Sequence, residues 1–363
     1  TLRAVRDFEA NLLIHPADGA VPDDVQHYAR IRCYKEIFKH YPPQTTQLSL
    51  LPIAMRMAGP REAVWHAIVR QNYGCTHMIV GRDHAGPTVG AMQQSFYPPY
   101  QAQELLANYQ SELAIQMIPM EEMVYVAERS EYVPVGEVAP NETVQRISGT
   151  ELRRRFAEDL PIPDWFSFPE VVQELRRAFP PKHRQGLTIL LTGLPSAGKT
   201  TLAHALHWRF MEIGTRRVSV LDGDPMRQIF SSELGFSKAD REKHMLRMGY
   251  VAREITKNGG IAILALIAPL QKIRRQLRDI ITPHGGFVEV YLDTPQEVCE
   301  QRDRKGLYAK ARKGLIDNFT GVNSPYEVPE LAEVVVDAAT QSPNVAVQQI
   351  VLKLEHLGYL KTA

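Results

Sequence analysis

Cysteine is scarce in this sequence. Cys33, Cys75 and Cys299 are the only three in 363 residues, with no C-x-x-C pair and no histidine nearby at ligand spacing. That argues against a disulfide framework or a cysteine zinc site and predicts reduced, buried thiols in the cytoplasm. Long apolar runs are missing as well: the longest, Ile261–Ile267, falls far short of the roughly 20 residues of a membrane helix. The opening stretch TLRAVRDFEA mixes charges and has no apolar core, so no secretory leader is expected. Charge imbalance is absent, with a formal net charge of +1. Neither nucleic acid nor an anionic membrane is therefore an expected partner, and any basic function must come from local clusters. There is no internal repeat and no low-complexity tract. His66 and His207 sit in apolar stretches and read as core or surface residues rather than ligands.

What is present points to two α/β domains, since one domain takes about 150 residues. The boundary falls in Phe179–Gly186, a Pro-rich, basic, weakly periodic stretch that reads as a linker between residues 1–178 and 187–363. Beyond it, apolar strands at Leu187–Thr192, Arg217–Leu221, Ile261–Ile267, Phe287–Leu292 and Val334–Val336 alternate with helical patterns at Thr200–Ile213, Ala239–Asn258 and Gln271–Ile281. Leu202, Leu206 and Phe210 recur at four-residue intervals, as on a helix face that meets a sheet. Strands apolar throughout and separated by helices predict a parallel sheet covered on both faces. In the first domain, Gln47–Pro52 and His77–Gly81 read as strands, with helices from Pro60, over Gln101–Glu112 and over Pro169–Arg177.

Gly193-Leu194-Pro195-Ser196-Ala197-Gly198-Lys199-Thr200 matches G-x-x-x-x-G-K-[ST], and Thr201 follows it. Glycines let backbone N–H groups converge on phosphate oxygens, the next helix aims its positive end there, and Lys199 adds a full charge. The Thr200 hydroxyl is the expected Mg²⁺ ligand. A chance Gly-rich turn would need neither the strand LTILLT before it nor the helix TLAHALHWRF after it. The motif shows nucleotide binding and leaves the acceptor open.

The next strand ends in Leu221-Asp222-Gly223-Asp224-Pro225-Met226-Arg227. Carboxylates at the carboxyl end of a strand beside a phosphate loop lie where ligands bind such sheets. One can serve Mg²⁺ through water while the other takes a proton from an acceptor hydroxyl. Arg302–Lys313 carries six basic residues in twelve. A solvated helix face is the ordinary reading, and a lid that closes on phosphates is the preferred one.

Together GLPSAGKT, LDGDPMR, LGFSKADRE and KGLYAKARKGLIDNFTGVNSPYE resemble adenylylsulfate (APS) kinases over about residues 187–340. The resemblance implies a P-loop kinase that uses ATP with Mg²⁺, with Asp224 as general base and Asp222 as its Mg²⁺-linked partner. It puts Arg227 and Arg241 on the phosphosulfate, Phe236 and Phe319 around the adenine of APS, and Lys305 in the lid. Forked guanidiniums and aromatic faces are what a small purine-bearing dianion requires, although singly each of these four residues would read as surface or core. The sequence also departs from the family. His244 stands where Asn is usual, Leu246 replaces the first of two arginines with Arg247 retained, and Ala268 replaces a serine. Ala268 excludes a phosphoserine there and leaves direct in-line transfer. His244 can donate where an amide would, so altered APS affinity is expected rather than lost activity.

Residues 1–175 resemble the C-terminal part of the ATP sulfurylase catalytic region. The matching segments are QLSLLPIAMRMAGPREAVWHAIVRQNYGCTHMIVGRDHAGP, SFYPPYQAQELL, MVYV and ISGTELRRRF. In that family the loop Gly81-Arg82-Asp83-His84-Ala85-Gly86 contacts the adenylyl nucleotide, and Arg82 and His84 can donate to phosphate oxygens. The family's Q-x-R-N-P-x-H-x-x-H element would precede Thr1 and has no substitute here. Half a sulfurylase site and no sulfurylase activity from this chain alone are therefore expected, with a full-length protein that also has sulfate adenylyltransferase activity kept as an open reading; a homo-oligomer is expected too. Competing readings are a non-catalytic nucleotide-binding regulator and a kinase for another small hydroxyl acceptor.

Overall fold

The structure, a computed structural model, describes residues 1–17, 27–87 and 96–361. Ser95, which opens the SFYPPYQAQELL segment, lies outside them. The chain divides into two units, Thr1–Phe179 and Pro180–Ala363.

Every residue of Leu187–Thr192, strand β1 of the second unit, is buried. A strand with no exposed face must be covered on both sides, and β1 is accordingly the middle of five. The others are β2 (Val218–Asp222), β3 (Ile261–Ala265), β4 (Gly286–Asp293) and β5 (Val334–Asp337). All pair in parallel, in the order β5-β4-β1-β3-β2. Side chains alternate along β1. Leu187, Ile189 and Leu191 meet Leu202, Leu206 and Phe210 of helix α1 (Lys199–Ile213) and Val347, Ile350 and Leu354 of a C-terminal helix, Pro343–His356. Leu190 faces the opposite layer, where Met245 and Met248 pack with Ile273, Leu277 and Ile281. Burying each such side chain contributes roughly 1.5–3 kcal/mol.

Between β2 and β3 run α2 (Gly223–Phe230) and α3 (Lys238–Lys257), and α4 (Gln271–Ile281) follows β3. The basic Arg302–Lys313 stretch holds part of a turn and a short helix, α5 (Leu307–Arg312), whose first amides donate to the Asp303 carboxylate at 2.9 and 2.7 Å. The stretch read as a linker is built into this unit from Pro180 onward. Lys182–Arg184 is a 3₁₀ turn, the Gln185 carbonyl accepts from Arg216, and the Gly186 carbonyl accepts from the Gly286 amide at 2.9 Å. Residue 186 has to be glycine, since a Cβ there would stand 1.9 Å from the Thr256 carbonyl oxygen.

The first unit is assembled from small sheets. Leu12–Ile14 pairs in parallel with Thr46–Leu48, and His77–Val80 with Gln116–Pro119. Met123–Val126, Glu131–Pro134 and Val144–Gln145 form an antiparallel trio. Helices Pro60–Asn72 and Gln101–Asn108 pack Ala63, Ala67, Ala102 and Leu106 on Met78 and Val80. The strand expected over Gln47–Pro52 begins at Thr46 and ends at Leu48, with a separate bridge from Leu51 to Ala17.

Candidate active site

The phosphate loop bridges β1 and α1. Gly193 has φ 154°, Ser196 61° and Gly198 104°. Ser196 therefore holds left-handed backbone without being glycine, a strain that clusters at ligand sites. At Gly193 a Cβ would approach the Leu292 carbonyl oxygen to 2.9 Å. The 15-residue helix α1 directs its positive end into the space the loop encloses. Lys199 turns back on its own loop, and Nζ donates to the carbonyls of Gly193 (3.0 Å) and Leu194 (2.7 Å). Burial pushes its ammonium down to about 8, against the smaller opposing pull of Cys299, Asp222 and Asp224.

Asp222 ends β2 and caps α2, its carboxylate accepting from the Asp224 amide at 3.2 Å. That cap is why the Asp-Gly-Asp turn runs into a helix and presents Asp224 on its first turn. Gly223 lets this turn pass close to β3, where a Cβ would lie 3.2 Å from the Leu266 side chain. The other Asp222 oxygen accepts from the Thr200 hydroxyl at 2.5 Å. Asp224 pairs with Lys305 at 2.5 Å, and that hydrogen bond raises the Lys305 pKa.

Facing these groups is an aromatic and cationic wall. Arg227 donates to the Gly235 carbonyl and lies over the Phe236 ring, 4.4 Å from its centroid. Arg241 donates to the Asn318 carbonyl at 2.9 Å, while its Nε is buried with no partner. Burial lowers the Arg241 pKa, and Arg227 adds to the effect. A buried guanidinium with an unpartnered Nε, lying beside a second cation, forms a site short of an anion. Phe319 packs edge-on against Tyr308, with centroids 4.9 Å apart. Ser196, Ala197, Gly198, Lys199, Thr200, Thr201, Asp222, Asp224, Phe236, Arg241, Lys305 and Phe319 share one cleft of about 1350 Å³.

The cleft wall does not include every residue the sequence singled out. Gly193, Arg227 and His244 are not among the residues that line it. His244 is buried between the Ser231 hydroxyl (3.0 Å) and the Gly223 carbonyl (3.2 Å), so it holds α2 to α3 rather than reaching into the cleft. Burial, followed by Arg227, lowers its pKa. Ala268 is buried at φ 41° and its carbonyl accepts from Arg274 at 2.8 Å. Sequence reasoning missed Ser237, Asn318, Thr320 and Gln341, which also line the cleft. The first three flank residues that had been chosen, which was their only signal.

In the first unit the Gly81–Gly86 loop leaves strand His77–Val80. Arg82 donates to Asp83 (2.9 Å) and Glu122 (2.7 Å). His84 Nε2 lies 3.1 Å from His66 Nδ1, and His66 Nε2 lies 3.5 Å from the buried Glu62 carboxylate. Glu62 also accepts from the amides of Arg56 and Ala58. Burial depresses His66 to about 3 and His84 to about 4, so both are neutral at pH 7. The sequence reading left His84 free to donate to phosphate, whereas here its Nε2 is engaged by His66.

A phosphate loop joined to a parallel sheet, with carboxylates at the neighbouring strand end and a basic segment facing them, defines the second unit as a P-loop nucleotide-binding unit of phosphotransferase type. The family model described as adenylylsulphate kinase matches residues 185–337, and the ATP-sulfurylase model matches residues 1–178. The chain thus carries an ATP-sulfurylase domain followed by an adenylylsulphate kinase domain. A sulfate adenylyltransferase of Phaeosphaeria nodorum is 48% identical over 99% of this chain and 63% of its own length. One of Mycosarcoma maydis is 50% identical over 98% of this chain and 62% of its own. A solved structure, the hexameric APS kinase from Thiobacillus denitrificans, aligns at 39% identity with a TM-score of 0.77, covering 99% of this chain and 64% of that one. The chain thus spans less than two thirds of the length of these relatives.

Proposed function

We propose that the second unit transfers the γ-phosphate of ATP to the 3′-hydroxyl of APS, giving PAPS and ADP. The observation that carries this reading is the single cleft holding the phosphate loop, Asp222 and Asp224 together with Arg241, Phe236 and Phe319. ATP lies along Gly193–Thr200, where Lys199 exchanges two loop carbonyls for phosphate oxygens. Thr200 and Asp222 present hard oxygens to one point, the donor set Mg²⁺ takes when phosphates and water supply its remaining ligands. When bound there, the ion supplies charge neutralisation on the phosphates. Asp224 accepts the proton of the attacking hydroxyl once Lys305 leaves it for the transferring phosphate. Arg241 and the two rings hold the acceptor, with Arg227 backing the Phe236 ring, and closure of the basic segment excludes water. Transfer is direct and in line, because residue 268 is alanine and cannot carry the phosphate.

A coupled assay offering APS beside other nucleosides and nucleotides tests the assignment. Turnover confined to APS is expected. Equal turnover of sugars or nucleosides would sink the acceptor choice, and nucleotide binding with no turnover at all would favour a regulator. For the first unit we read the Gly81–Gly86 loop as a nucleotide contact, testable by APS titration of Arg82→Ala in an otherwise kinase-dead chain. The free cysteines fit the cytoplasm. Among the described residues no helix is long and apolar enough to cross a membrane. Likeness to the hexameric structure supports a homo-oligomer, which sedimentation checks.

A further inference from the structure

The loop that carries Phe319 is tied at its far end to something outside the cleft. Its near part closes on itself. The Phe319 carbonyl accepts from the amides of Val322, Asn323 and Ser324, and the Asn323 side chain accepts from the Phe319 amide (2.5 Å) and donates to the Ile316 carbonyl (3.0 Å). A loop so closed moves as a body, so its place is set by Arg241 on the Asn318 carbonyl and by the ties at its exit. At that exit the Tyr326 ring stacks on Tyr291 of β4, centroids 6.0 Å apart and planes 19° apart. The Arg274 guanidinium lies 5.9 Å from the Tyr326 ring centroid. The Tyr326 hydroxyl sits 2.9 Å from Thr192 Oγ1.

Thr192 ends β1 and adjoins Gly193, whose carbonyl receives Lys199. The buried Thr192 hydroxyl also lies 2.6 Å from the Ile267 carbonyl. A threonine hydroxyl has one proton. A carbonyl can only accept, so that proton goes to Ile267 and Tyr326 is the donor to Thr192. Burial holds the Tyr326 phenol far above its usual range, so the donor proton stays in place. Glu327 adds a second tie: its amide donates to the Pro269 carbonyl (2.8 Å), and its carboxylate accepts from the Gln271 amide (2.6 Å).

We propose that Tyr326 is a positioning residue that fastens the Phe319 loop to the phosphate loop through Thr192, and so fixes the acceptor's aromatic wall against the donor phosphates. Tyr326 is not among the residues lining the cleft, so it acts through Phe319 and not on substrate. The proposal rests on the kinase reading given above. In-line transfer makes such a tie consequential, because an error of about 1 Å between reactants can lower the rate on the order of 100-fold.

The test compares Tyr326→Phe, Thr192→Val and the double variant in the full chain. Phenylalanine keeps the stacked ring and deletes one donor. Steady-state constants for APS and for ATP are measured, together with APS binding in the presence and absence of a non-hydrolysable ATP analogue. Tyr326→Phe should lower kcat/KM for APS roughly fivefold, the equilibrium worth of one neutral hydrogen bond, and leave KM for ATP within about twofold. The gain in APS affinity conferred by the analogue should shrink by the same factor. The double variant should be no worse than Thr192→Val, since both remove one shared interaction. Strictly additive losses, equal losses for both substrates, or a Tyr326→Phe protein indistinguishable from wild type would each overturn the proposal. If melting temperature drops in a variant, a loss confined to APS still supports it and a loss shared by ATP overturns it. A wild-type chain that phosphorylates no APS overturns the kinase reading and this proposal with it. Normal wild-type turnover with an unaffected Tyr326→Phe removes the tie alone.

Discussion

Two loops in this chain start from the same plan and are finished differently. Gly193–Thr200 and Gly81–Gly86 each leave the end of a parallel strand and each carry a cation among glycines. In the first, Lys199 bonds to neutral carbonyls of its own loop. In the second, Arg82 is held by two carboxylates and His84 by a neighbouring imidazole. A phosphate arriving at the first loop displaces weak acceptors, and at the second it competes with Asp83 and Glu122. Two motifs can thus supply similar donors, while the partners those donors already hold decide how readily each meets an anion.

Removing the cation or the base of the first loop's cleft should give the largest effect. Lys199→Ala or Asp224→Asn is expected to lower kinase turnover by at least about 100-fold, the scale of a lost general base. Arg82→Ala should leave that turnover unchanged, and full activity in either kinase variant would collapse the contrast. Next comes Phe319→Ala, expected to raise KM for APS on the order of 10- to 100-fold from lost stacking of roughly 1–3 kcal/mol. KM for ATP should hold, and equal shifts for both substrates would remove the ring from the acceptor wall.

A pH series sharpens the comparison further. Lys199 in the free enzyme loses its proton near pH 8, whereas bound phosphate favours the charged form. ATP binding therefore takes up a proton above pH 8, and affinity should fall by up to about tenfold per pH unit there. A flat binding profile from pH 7 to about 9.5 would mean that Lys199 keeps its proton without a ligand.

The smallest effect belongs to the first unit. His66 and His84 titrate near 3 and 4 in the folded chain, below the free imidazole value of 6.5. Below pH 6.5 the unfolded chain binds more protons, so stability is complete above that value and declines as pH falls toward 4. His66→Gln should flatten this decline in urea titrations. An unchanged slope would show that the pair does not set it.

Much of the second unit was legible because its strands are apolar on both faces and its chemistry sits at their carboxyl ends. Leu187–Thr192 and Gln271–Ile281 begin and end where their patterns do. Helix Gly223–Phe230 escaped notice because Asp222 reads as half of an acidic turn until its carboxylate is seen capping the Asp224 amide. Helix Pro343–His356 also went unread, although Ser342, whose hydroxyl accepts from the Val345 amide, and the proline at its first turn are the signals that mark it. The position of His244 could not be read. An imidazole able to donate into the cleft and one anchoring Gly223 from behind have the same sequence, and only packing separates them. In the first unit the strands are short and half exposed, so periodicity carried little, and Gln47–Pro52 slid accordingly.

The narrow seam at Gly186 bears on how the two halves can be parted. With 1.9 Å between a would-be methyl and the Thr256 oxygen, no residue other than glycine fits at that position. A free-standing second half should begin upstream of Pro180, keeping the native Gln185 that receives Arg216 and the bare glycine after it. A version trimmed to Leu187 would leave the Gly286 amide without its acceptor and should emerge as a poorly soluble product.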